Sequence, residues 1–172
     1  MKHPLRPTLG IDIGRVLISA GDQPGDTSFL GSTEAVALET PPMPGALAAV
    51  TMLVEAYEGR VHLVSKCGPG VQQRSLRWLA QHRFHEVTGL APRQVHFCRE
   101  RREKAGIASR LGLHAFVDDR ADVLLPMAGI VELRLLFGPQ KHQHPPAGLI
   151  PVLDWETALG RLLPFADQPV AS

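Results

Sequence analysis

A chain of 172 residues is long enough to bury one good core, and the usual size of domains favours a single domain over residues 1–172. Apolar residues at 44% and charged residues at 20% exclude wholesale disorder. A formal net charge of +1 excludes a whole-protein field that would draw in nucleic acid or an anionic membrane, so charge-based recognition has to be local.

Residues 1–7 carry Lys2 and Arg6 but are broken by Pro4 and Pro7, with no signal-like apolar run behind them. Residues 9–18, LGIDIGRVLI, are β-branched and apolar on both sides of Asp12, the pattern of a strand buried on both faces. Residues 19–44 are rich in Gly, Pro, Ser and Thr and read as a loop or flap, with at most a hairpin around Phe29 and Val36 to Leu38. Residues 45–58 place Leu47, Val50, Leu53, Val54 and Tyr57 on one helical face ahead of Gly59. A second strand over 61–65 turns at Gly68-Pro69-Gly70 into a helix carrying Val71, Leu76, Leu79 and Ala80.

A third strand is expected over 94–98, a helix over 100–111 stopped by Gly112, a short fourth strand over 115–117, and a short helix over 121–127. A fifth strand falls at 130–137, before a Pro, Gly and His-rich connection over 138–151. Asp154 then caps a last helix, about 153–163, ending before Pro164. Strands alternating with helices imply a Rossmann-like three-layer α/β/α sandwich on a mostly parallel five-stranded sheet, with its core over about 8–137.

Ligands of open parallel sheets bind outside the carboxyl ends of the strands. The residues there are Asp12 and Gly14, then Ser65 and Lys66, then Cys98 and Arg99, then Asp118 and Asp119, with Lys104 on the helix leading to the fourth strand. In that order, IDIGRVL, LVSKCG, Lys104 and FVDDRADVL resemble the four motifs of the haloacid dehalogenase superfamily, over about residues 9–136. The resemblance implies a phosphohydrolase in which Asp12 is the nucleophile, Ser65 hydrogen-bonds the phosphoryl group, and Lys104 neutralises charge on both. It also implies Mg²⁺ on Asp12, the carbonyl of Gly14 and one or both of Asp118 and Asp119, with Lys66 and Arg99 beside Ser65 as substrate contacts.

Phosphatases of that superfamily carry a second aspartate two residues after the first, where it protonates the leaving group; this chain has Gly14. Loss of a general acid costs about 10²–10⁴-fold. Two readings follow: a hydrolase whose acid comes from the flap, with Asp26 or Glu34 as candidates, or a phosphate-binding or protein-interaction module of weak or no turnover. Carbon–halogen or carbon–phosphorus cleavage, also found in the superfamily, requires a closed pocket. The insert over 18–44 is too short for a helical cap, so the expected mouth is open, suited to a bulky, nucleotide or macromolecular phosphorylated substrate unless a second subunit covers it.

Simpler roles stand beside these. Asp118 and Asp119 could cap the helix near Ala121, Ser65 could be an ordinary post-strand serine, and Lys104 a solvated helix lysine. The run Arg99, Arg101, Arg102, Lys104 reads first as a solvated helix start, because Glu100 and Glu103 interrupt it, and second as a phosphate or nucleic-acid contact. Cys67 and Cys98 make no CxxC motif and read as core residues, and His82, His85, His142 and His144 as surface residues. No apolar run approaches the ~18 residues of a membrane span, and the expected location is a reducing cytoplasm.

Overall fold

The computed structural model describes residues 5–19, 33–141 and 144–170. Strands β1 (Leu9–Ile11), β2 (Val61–Lys66), β3 (Val95–Cys98), β4 (Ala115–Asp118), β5 (Leu133–Phe137) and β6 (Ile150–Val152) form one sheet in the order β3-β2-β1-β4-β5-β6. Every pairing is parallel. The helices are α1 (Glu34–Leu38), α2 (Ala46–Ala56), α3 (Pro69–Gln81), α4 (Phe84–Thr88), α5 (Glu103–Leu111), α6 (Ala121–Leu124) and α7 (Trp155–Ala166).

The pleat sorts the apolar residues between two cores. In β4 and β5, Ala115, Val117, Leu135 and Phe137 join the larger core with α2, α3 and α7, whereas Phe116 and Leu136 join the smaller one with α5 and α6. Both faces of the sheet are therefore covered, as a parallel sheet requires. Gly10 has a steric role: a Cβ there would lie 2.6 Å from Leu113 and 2.7 Å from the Phe116 ring.

The sheet has six strands, not five. The sixth begins at the end of the expected connection over 138–151 and includes Pro151, which pairs with Leu136 at the sheet edge. Only an edge strand tolerates a residue with no N–H to give, and the surrounding Pro and Gly hid the short apolar pattern. β1 ends at Ile11, just before the expected end at Asp12 and Gly14, and the rest of the apolar run to Ile18 turns, the amides of Leu17 and Ile18 both donating back to the Ile13 carbonyl, at 2.9 and 3.1 Å.

Val36 to Leu38 belong to α1 and not to a hairpin; Thr33 caps that helix, and Phe29 lies outside the described residues. The α5 helix starts at Glu103, whose carboxylate accepts from the amides of Arg99 and Glu100 at 2.9 and 2.6 Å. The α7 helix runs through Pro164 because Phe165 and Ala166 are buried beyond it, which offsets the lost hydrogen bond. Its start is capped by Asp154, which accepts from the amide of Thr157 at 2.8 Å. Among the described residues no helix is long and apolar enough to cross a membrane.

Candidate active site

Strand order reverses between β1 and β4, and a parallel sheet opens its ligand crevice at that switch point. Asp12 leaves β1 there and Asp118 ends β4 beside it, with the amide of Asp12 donating to the Val117 carbonyl at 2.9 Å. Both side chains are removed from solvent: Asp12 is 7% exposed and Asp118 not at all. Lys104 comes from α5 to lie between them, its ammonium 2.8 Å from Asp12 Oδ1 and 2.7 Å from Asp118 Oδ2. The Phe116 ring lies 5.9 Å from the ammonium, over the gap that Gly10 leaves open. The remaining Asp118 oxygen accepts from the Arg120 amide at 3.0 Å.

A lysine 2% exposed is not a solvated helix residue. Burial alone would lower its pKa, but the carboxylates of Asp12 and Asp118 more than reverse that, and Lys104 is held protonated. One ammonium does not balance the acids around it. Burial, and next the charge of Asp12, push the Asp118 carboxyl well above the ordinary range, with Lys104 opposing. Burial and Asp12 push the half-buried Asp119 up to about 6 against the opposing charges of Arg15, Lys104 and Arg120. Arg15 holds a left-handed backbone at φ 59°, a conformation that costs a residue with a Cβ about 1–2 kcal/mol, at the turn that leads out of Asp12.

The carboxylates of Asp12, Asp118 and Asp119 each place an oxygen within 4.8 Å of the others. Hard oxygen donors with an uncompensated negative charge are what a divalent cation such as Mg²⁺ takes, and an octahedron of ~2.1 Å bonds spaces its oxygens by about 3.0 to 4.2 Å. The donor chemistry suits such an ion. Neither Asp118 nor Asp119 is the N-cap of α6, which is Arg120.

Among the described residues these groups face a cleft of about 400 Å³, whose walls also include Gly14, Ser65, Lys66 and Cys67. The expected residues Asp12, Gly14, Ser65, Lys66, Lys104 and Asp119 thus line one cavity, with Asp118 beneath it. Arg99 is placed elsewhere. Its guanidinium donates to the Cys67 carbonyl at 2.7 Å and to Gln72 at 2.9 Å, tying the loops after β2 and β3 together outside the cleft wall.

Of the flap candidates for a general acid, Glu34 pairs with Arg77 on α3 and does not line the cleft, while Asp26 lies outside the described residues. His142 lies outside them as well. His96 meets a partner that sequence reading missed, His62 on the neighbouring strand, with ring nitrogens 3.0 Å apart. Sequence reading also passed over Arg15, Arg120 and Lys141, which line the cleft, and read Arg101, which lines it too, first as a solvated helix residue. Each sits within a few residues of a strand end or of an assigned motif, and that position was the available signal.

No family model matches the sequence, and no curated protein matches it. Among solved structures, D,D-heptose 1,7-bisphosphate phosphatase from Burkholderia thailandensis matches 95% of this chain and 100% of its own, with a TM-score of 0.56 at 14% identity. At that identity the likeness is one of fold.

Proposed function

We propose that this chain, which has the haloacid dehalogenase-like fold, is a phosphohydrolase that transfers a phosphoryl group from a phosphomonoester to Asp12 and then to water. The observation that carries this reading is the buried Asp12–Lys104–Asp118 triad at the switch point, with Asp119 and Ser65 on the same cleft. Such an arrangement is costly to a fold that does not use it, since each buried charge loses several kcal/mol (about) of hydration. The solved relative acts on a phosphate ester, as its name states, which agrees with that chemistry.

In this reading an Asp12 oxygen attacks phosphorus in line while the ester oxygen leaves opposite. Lys104 spreads the charge of Asp12 so that one anion can approach another, and the Ser65 hydroxyl donates to a non-bridging phosphoryl oxygen. Asp12, Asp118 and Asp119, with the carbonyl of Gly14, would hold Mg²⁺, which supplies neutralisation of the phosphoryl oxygens. Water then attacks the aspartyl-phosphate, returning Asp12 and releasing phosphate.

Gly14 brings no proton donor to the leaving oxygen, which favours leaving groups that depart without one, or proton delivery from solvent. The test is phosphate release from a panel of phosphomonoesters, including nucleotides and phosphorylated oligonucleotides, with Mg²⁺ or with EDTA. Metal-dependent release by the wild type, abolished in Asp12→Asn, is the expected result. No release from any ester, with metal binding intact, overturns the hydrolase reading and leaves a phosphate-binding module.

A further inference from the structure

Positive charge is concentrated on this cleft. Of the eighteen lysines and arginines in a chain of net charge +1, six line it among the described residues: Arg15, Lys66, Arg101, Lys104, Arg120 and Lys141. No glutamate among the described residues does. Bringing like charges together from separate loops raises self-repulsion, so the arrangement needs a counter-charge.

Three of the six are accounted for. Lys104 is engaged by Asp12 and Asp118, Arg15 offsets the charge of Asp119, and Lys66 follows Ser65 at the phosphoryl position. The other three lie on loops that follow β3, β4 and β5: Arg101, Arg120 and Lys141. Among the described residues, no carboxylate comes within ion-pairing distance of Arg101 or Lys141.

Arg120 is held in a fixed direction, because Nε and Nη2 donate to the two oxygens of Asp122, each at 2.9 Å, which leaves Nη1 for another acceptor. Arg101 is near enough to the same Asp122 to lower its pKa, after the larger effect of Arg120. The Lys141 loop is pinned beside it, since the Gln140 side chain donates to the Asp119 carbonyl at 3.1 Å. The centre itself cannot serve as the counter-charge once a divalent cation and Lys104 balance its three carboxylates. A phosphoryl dianion at Ser65 and Lys66 leaves the outer cations unused.

We propose that Arg101, Arg120 and Lys141 form a second anion subsite, which holds a non-reacting phosphate of the same substrate while the first phosphate reacts at Asp12. This rests on the phosphohydrolase reading for the placement of the reacting group. Planar guanidinium forks from two loops and one lysine suit the oxygens of a tetrahedral phosphate, and Asp122 acts as a positioning residue that fixes one fork.

The experiment compares α,ω-alkanediol bisphosphates with the matching alkyl monophosphates, reading KM with Mg²⁺ for the wild type, for Arg101→Gln/Lys141→Gln and for Arg120→Gln. Binding of the same pairs to Asp12→Asn protein is measured by calorimetry. In the wild type the second phosphate lowers KM by about tenfold or more, the effect of one or two charge-assisted contacts, and the variants lose most of that ratio while circular dichroism shows them folded. Turnover of both series with equal KM, or a ratio unchanged in the variants, overturns the subsite and leaves the hydrolase reading intact. No turnover, but bisphosphate binding to Asp12→Asn protein that depends on Arg101 and Lys141, supports the subsite and overturns the hydrolase reading instead.

Discussion

Replacing Lys104 with methionine keeps the length of the side chain and removes its charge from between two buried carboxylates. Breaking one partner out of a buried ionic network costs about 3–5 kcal/mol, because the remaining charges are left uncompensated. For a chain of this size ~2–4 °C accompanies each kcal/mol, so Tm in EDTA falls by about 6–20 °C. The sign with pH follows from the acids that remain. The folded-state pKa of Asp118 is already raised by burial and rises further without the ammonium, so the variant gains stability as pH falls and the carboxyl takes up its proton. Thermal melts followed by circular dichroism at about pH 8 and about pH 5 should show the larger loss at the higher pH. A fall in Tm below about 2 °C, equal at both pH values, would refute the claim that Lys104 neutralises these carboxylates.

Gly14→Asp fits the backbone, since a Cβ at Gly14 meets no atom within 4 Å and its φ lies outside the left-handed region; kcat on esters with poor leaving groups should rise by about 10²–10⁴-fold, and an unchanged kcat with intact metal affinity would count against a missing general acid. Asp119, with a folded pKa of about 6 against 3.8, contributes stability that is full below the lower value and lost as pH rises through the upper one. Metal-free Tm should therefore decline over that window, and Asp119→Asn should flatten the decline. Trp155→Phe removes the indole N–H that donates to the Val16 carbonyl at 2.9 Å, behind the turn that follows Asp12. It should cost about 1–3 kcal/mol in denaturant melts and weaken Mg²⁺ binding measured by calorimetry.

The chain order of Asp12, Ser65, Lys104 and the Asp118-Asp119 pair was legible because each stands next to a strand end or on the helix before one, and parallel topology gathers such positions at one edge. What the sequence concealed was set by packing. Lys104 and Arg101 sit in the same charged run, and only the fold turns one inward while leaving the other at the cleft wall. Arg99 resembled a phosphate ligand by position, yet the carbonyl of Cys67 is close enough to take its guanidinium. The β6 strand escaped notice because it has three residues, one of them Pro151. The α7 helix outran Pro164 because burial of Phe165 outweighs a local helix-breaking preference.

The most direct test of the central claim is mass spectrometry of peptides from protein acid-quenched during turnover of a phosphomonoester with Mg²⁺. The account predicts a phosphoryl group on the peptide containing Asp12, absent in EDTA and in Asp12→Asn. Turnover with no phosphorylated peptide, and with Asp12→Asn retaining activity, would contradict it.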